Sequence, residues 1–218
     1  MKETHLAIGW RLTRSFCLLF SVSLSWLACS GQPETTRTVA PAEATSASAP
    51  PVSAVAGESG SATEKAFGPI KAKIPAEWIE QTPSSSMRKA QYSLPKVSGD
   101  GEDGELAVFY FGLGQGGSVE ANIDRWIGQI SQPDGSSSKD KAKTSKKQIG
   151  GMSVTLVDVS GTYSAGMMSS APPRPGYRML AAVAETTEGP WFFKLTGPEQ
   201  TITKWSGSFN EFIGSFKQ

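Results

Sequence analysis

Histidine and cysteine are nearly missing from this sequence. The one histidine is His5, and the two cysteines, Cys17 and Cys29, fall within the first thirty residues. Whatever folds beyond them has no imidazole and no thiol. Ser-His-Asp and Cys-His catalysis, zinc sites built on His or Cys, and disulfides are excluded there together. A one-sided charge is missing as well, since 21 Lys+Arg stand against 20 Asp+Glu for a formal net charge of +1. That balance argues against a globally basic nucleic-acid binder and against an acidic solvating tail. The chain has 218 residues, enough for one or two domains with a hydrophobic core of ordinary size.

What is present first is an address. Lys2, Arg11 and Arg14 precede an apolar stretch from Phe16 to Ala28, too short for the roughly 20 helical residues that span a bilayer and of the length of a signal-peptide apolar region. Residues 1–28 therefore read as a signal peptide. Trp26-Leu27-Ala28-Cys29 is similar to a bacterial lipobox, in which the cysteine takes the lipid. Trp26 and Leu27 depart from the usual pattern. The competing site, Ala28-Cys29-Ser30, would be cut after Ser30 to release a soluble exported form. The lipoprotein reading is preferred, because residues 29–65 are a Ser/Ala/Pro-rich tract interrupted by Pro33, Pro41, Pro50 and Pro51. Such a tract reads as a disordered tether, with a root-mean-square reach of about 30–36 Å. The expected location is the cell envelope, at a membrane through acylated Cys29. It is the outer membrane if the cell has two, because Ser30 lacks the acidic character associated with inner-membrane retention.

Residues 66–218 read as one α+β domain. The expected strands are a short one in Ile74–Ile79, Arg88–Leu94 between Pro83 and Pro95, the apolar run in Glu105–Gly112, Lys139–Ile149, Met152–Tyr163, Arg178–Thr187 and Pro190–Leu195. Ser118–Ser131 reads as a helix with Ser118 as N-cap and Val119, Ile123, Trp126, Ile127 and Ile130 on one face. A second helix follows Thr196-Gly197-Pro198-Glu199, which reads as a capping box. It carries Ile202, Trp205, Phe209, Phe212, Ile213 and Phe216, with a weak middle at Ser206-Gly207-Ser208. The architecture expected is a mostly antiparallel sheet of about seven strands with a long amphipathic helix on each face.

Ile74-Pro75-Ala76-Glu77-Trp78, Met87-Arg88-Lys89-Ala90-Gln91-Tyr92 and Phe193-Lys194-Leu195-Thr196-Gly197-Pro198 resemble a set of uncharacterised bacterial lipoproteins of the PsbP/Mog1-like sandwich type. The resemblance implies that fold, and extrinsic-subunit or partner-binding roles rather than one enzyme class. It brings no functional residue with it.

Five constellations could carry chemistry or contact. Gly112-Leu113-Gly114-Gln115-Gly116-Gly117 places G-x-G-x-x-G between a strand and a helix. The polar Ser136–Lys147 segment that follows is not the second apolar strand of a dinucleotide site, so a flexible connection is expected. Asp100, Glu102, Asp103 and Glu105 crowd one loop out of calcium-loop register. Asp158, in an apolar strand, should be solvated or paired with Arg or Lys. Lys139, Lys141 and Lys143 alternate and should share one face of an edge strand, guarding it against sheet-to-sheet pairing rather than meeting anionic headgroups. The long loop from Met167 to Gly176 is the best candidate contact segment, with Met167, Met168, Arg174 and Arg178 as its contact residues. The reading is a non-enzymatic, lipid-anchored accessory or protein-interaction module. It has no cofactor, metal or nucleic-acid partner, its partner is an unknown envelope protein, and it is monomeric. The alternative is an exported small-ligand or anion binder using the loop 112–118.

Overall fold

Period-two alternation of apolar residues shapes most of the domain. The computed structural model describes residues 62–166 and 171–218, all within the unit Ser53–Gln218. A hairpin of β1 (Thr63–Phe67) and β2 (Ile70–Ile74) forms a two-stranded sheet. The main sheet has eight strands: β3 (Ile79–Gln81), β4 (Arg88–Leu94), β5 (Gly104–Tyr110), β6 (Ile130–Ser131), β7 (Lys143–Ile149), β8 (Met152–Tyr163), β9 (Arg174–Thr186) and β10 (Gly189–Pro198). Its order is β3-β4-β5-β10-β9-β8-β6, with β7 pairing β8 beside β6. Every pairing is antiparallel, as short connections favour. Gly150 and Gly151 make the β7–β8 turn at φ +55° and +83°, the left-handed conformations that a tight hairpin needs.

Helices α1 (Val119–Ile127), α2 (Ser138–Lys141) and α3 (Glu199–Gly214) complete the domain. The expectation of about seven strands with a long amphipathic helix on each face is overturned. Among the described residues there are ten strands in two sheets, and only α3 is long. It runs unbroken through Ser206-Gly207-Ser208 and lies on β9, β10 and β2. α1 stops at Gly128, because Ile130 already enters β6. Nine residues of helix measure about 14 Å, roughly three strand spacings even if laid straight across a sheet. Its Ile123, Trp126 and Ile127 pack with Val157, Val159, Met179, Ala181, Val183 and Phe192 of β8, β9 and β10. The β4–β5 part of that face is left without a helix.

Three smaller expectations also change. The segment Ile74–Ile79 is not one strand, since β2 ends at Ile74 and Pro75 turns the chain before β3. Lys139 and Lys141 sit in α2 rather than in a strand, and Lys139 pairs with Asp124 at 3.0 Å. Pro198 is the N-cap of α3 and no side chain at that position caps it. Asp100 does so from the β4–β5 loop, accepting from the Thr201 backbone N–H at 2.9 Å and its hydroxyl at 2.6 Å.

The α3 side holds the larger core. Phe193 meets Phe216 at 4.8 Å between ring centroids, Phe212 meets Phe216 at 5.1 Å, and Trp78 meets Phe212 at 5.2 Å. The β1–β2 hairpin joins this core through Phe67, Ile70, Ala72 and Ile74. It is fastened by paired hydrogen bonds between Lys71 and Lys217 at 2.8 and 3.0 Å and by the Lys73 N–H donating to the Ser215 hydroxyl. Among the described residues no helix is long and apolar enough to cross a membrane.

Candidate functional site

Alternation along β10 builds the site. Trp191, Phe193 and Leu195 belong to the α3-side core, so Phe192, Lys194 and Thr196 point to the α1 side. Register then sets their neighbours on β5: Phe109 opposite Phe192, Ala107 opposite Lys194 and Glu105 opposite Thr196. On β4, Arg88 pairs with Phe109 in register and reaches Glu105 as an ion pair at 2.9 Å. Gln91 donates to the other oxygen of Glu105 at 3.0 Å. From α1, Trp126 sets its ring edge-on to Phe192 at 5.9 Å. Phe111 lies 5.6 Å from Phe192 and stacks with Phe109 at 6.3 Å.

Because α1 is short, these groups border an open cleft of about 570 Å³ between the helix and the β5–β10 surface. Phe109, Phe111, Trp126 and Phe192 form its walls, Arg125 and Met87 line its edge, and Lys194 lies at its base. The loop before α1 is fixed rather than slack. Ser118 accepts from the Ala121 N–H, and Asn122 donates to the carbonyls of Gly116 at 2.7 Å and Ser118 at 2.9 Å. Gly116 has φ +84°, and a β-carbon there would come within 2.6 Å of the Phe111 ring. Only glycine lets the loop pass over that wall of the cleft.

Lys194 dominates the electrostatics. It is only 9% exposed. Its ammonium donates to the Gln129 side-chain oxygen and lies 5.0 Å from the centre of the Tyr163 ring. Burial drives its pKa down to about 8, helped by the positive charges of Arg125 and Arg88 and opposed by Glu105. Burial also raises the pKa of Tyr163.

A second, smaller depression of about 290 Å³ adjoins it, lined by Arg88, Glu102, Glu105, Tyr163, Arg174 and Tyr177 among others. Arg174 pairs with Glu102 at 3.1 Å, and the Tyr177 hydroxyl donates to the same carboxylate. Burial, and then that hydrogen bond, push the Tyr177 hydroxyl up to about 12.

No protein-family profile matches the sequence, and no curated protein matches it. Solved structures similar to it include the following three. One is the Pseudomonas aeruginosa protein PA94, at 11% identity and a TM-score of 0.40, over 72% of this chain and 96% of that one. The second is the cyanobacterial PsbP protein CyanoP of Synechocystis, at 12% identity and 0.46, over 74% and 94%. The third is LpqN of Mycobacterium tuberculosis, involved in cell envelope biogenesis, at 12% identity and 0.44, over 72% and 84%. None of the three carries a ligand, partner or activity over to this chain.

Of the residues singled out in the sequence, Cys29, Met167 and Met168 lie outside the described residues. Arg174 and Arg178 are not brought together. Arg174 turns to the α1 side with Glu102 and Tyr177. Arg178 holds Asp158 through two hydrogen bonds of 2.9 and 2.8 Å and donates to Thr203 of α3. Asp158 is thus a paired carboxylate. The loop 112–118 contributes Gly116 to the cleft. The strand after α1 pairs antiparallel with β8, which is not the parallel arrangement of a dinucleotide fold. The four acids of the β4–β5 loop do not converge: Asp100 caps α3, Glu102 binds Arg174, Asp103 accepts from Ser93 and Lys96, and Glu105 binds Arg88. Among the described residues no group of three or more His, Cys, Asp or Glu could hold a metal.

Lys194, Arg88 and Gln129 were missed, and Glu105 was considered only as a member of the acidic loop. The signal for Lys194 was available, because a lysine inside Trp191-Phe192-Phe193-Lys194-Leu195 poses the same question as the aspartate in β8. An ionisable group in an apolar strand needs a reason to be there.

Proposed function

We propose that this protein is a non-enzymatic accessory domain of the cell envelope, tethered to a membrane by a lipid on Cys29, and that the cleft beside α1 is its working site. The supporting observation is the cleft itself: a lysine held at the base of aromatic walls, beside a helix too short to cover it. Concave, mostly apolar sites with a few polar groups are where proteins bind small molecules. The direct contacts of Lys194 are the Gln129 amide and the Tyr163 phenol and ring, with Arg125 lining the same cleft, an arrangement that favours holding an anion over turnover. The alternative exported small-ligand binder shares the same place, since Gly116 of the loop 112–118 lines the cleft.

Two experiments test the two halves. Cys29→Ser should abolish lipid labelling and move the protein to the soluble fraction, because the acyl chains supply the membrane affinity. Unchanged membrane association would remove the anchor from the proposal. For the cleft, a photocrosslinking residue at exposed Met87, on its rim, should give an adduct in cells by intact mass, and Ala165→Trp at the mouth should abolish it. Adducts arising only from a label at exposed Leu113, outside the cleft, would place the working surface elsewhere.

A further inference from the structure

We infer that the α1 cleft binds a small organic carboxylate with an aromatic or aliphatic body, its carboxylate held by Lys194 and Arg125 and its body lying on Phe109, Phe111, Trp126 and Phe192. The inference rests on the reading of the cleft as the working site and adds the chemistry of what enters it.

Charge accounting is the first support. Two cations, Lys194 and Arg125, line the cleft and a third, Arg88, lines the adjoining depression; of these only Arg88 is neutralised. Arg88 has Glu105 as its counter-ion at 2.9 Å. Arg125 has only the neutral Asn122 side chain, whose oxygen accepts from it at 2.6 Å. Lys194 has the Gln129 amide and the Tyr163 phenol and ring. Among the described residues no carboxylate lies within ion-pair distance of Lys194 or Arg125. A buried cation without a counter-ion is unfavourable, and an incoming anion supplies what it lacks. The two cations are graded in depth. Arg125 is exposed at the edge, where it can draw an anion in. Lys194 is buried at the base, where low polarity strengthens a charge-assisted hydrogen bond.

Shape is the second support. A volume of about 570 Å³ suits one small molecule rather than a protein segment. The four aromatic walls offer apolar contact to a ring or a short chain. A carboxylate has two acceptor oxygens, one for each cation, and is far less costly to strip of water than a phosphate dianion, for which the cleft has too few donors.

The test uses the full chain and three matched probes: 2-naphthoate, 2-naphthamide and 2-naphthyl phosphate, titrated by calorimetry. Naphthoate should bind about tenfold more tightly than the amide. Lys194→Met should bring the two within about twofold while keeping amide binding, which also shows that the variant is folded. Arg125→Gln, at an exposed position, should weaken naphthoate about threefold and leave the amide unchanged. Equal binding of acid and amide, both lost in Ala165→Trp, would overturn the carboxylate assignment and leave the cleft as the working site. Tightest binding by the phosphate would overturn it in favour of a phosphate ligand. Binding of none of the probes would overturn the inference alone, because the Met87 crosslink reads the working site independently.

Discussion

Lys194 works against the stability of the fold that contains it. Its pKa is about 8 in the folded protein against an ordinary 10.5. Below pH 8 the group is charged in both states, and the folded state bears the full cost. Between pH 8 and 10.5 the unfolded chain holds the proton while the native protein releases it, so stability rises with pH. The expected gain from pH 7.5 to 9.5 is about 1–2 kcal/mol, read from urea denaturation midpoints. Lys194→Met should flatten that dependence and make the protein more stable at pH 7 by about 1–3 kcal/mol. A midpoint that falls on substitution, or a wild-type profile flat across this window, would contradict the burial argument. The window must stop near pH 10, where tyrosines such as Tyr177, whose ionisation the fold opposes, begin to act in the other direction.

At the scale of elements, α3 depends on a residue distant in sequence. Asp100 accepts from the Thr201 backbone N–H and so satisfies a donor that Pro198 cannot reach. Asp100→Ala should cost about 1 kcal/mol at unchanged denaturant slope, and Asp100→Asn, which can still accept, should cost less. This contact also marks the limit of what could be read from the chain. β4 was legible because Pro83 and Pro95 bracket it, and the apolar stripe Ile202, Trp205, Phe209, Phe212 and Ile213 was legible because helical period and burial agree along it. The cap was not, because Thr196 and Glu199 satisfy the local pattern and a loop a hundred residues earlier does the work. α2 was hidden because four polar residues carry no period. The shortness of α1 was hidden because Ile130 fits the helical stripe as well as it fits a strand. The cleft exists only because of that shortness, so its residues could not be grouped from spacing alone, although Lys194 could have been questioned by itself.

At the scale of the molecule, the outer edge of the sheet needs protection. Among the described residues β7 pairs only with β8, and Lys143, Lys146 and Lys147 on it are exposed. Charged side chains on an edge discourage pairing with a second copy. Replacing these three lysines with threonine should change the unfolding midpoint by less than about 0.5 kcal/mol. It should also produce concentration-dependent association in light scattering. A variant that associates no more than the wild-type protein at any concentration would show that the edge is guarded by something else.

The clasp between the first hairpin and the last helix has a consequence for how the protein is made. Lys73 of β2 bonds Ser215, 142 residues later, and Phe67 rests on Phe212. A ribosome delivers the early partners long before the late ones, so the larger core stays open during most of synthesis. Long-range closure of this kind is slow and comes last. The nascent chain therefore remains threadable until Phe212 and Phe216 emerge, which is the condition under which a polypeptide can still pass through a narrow pore.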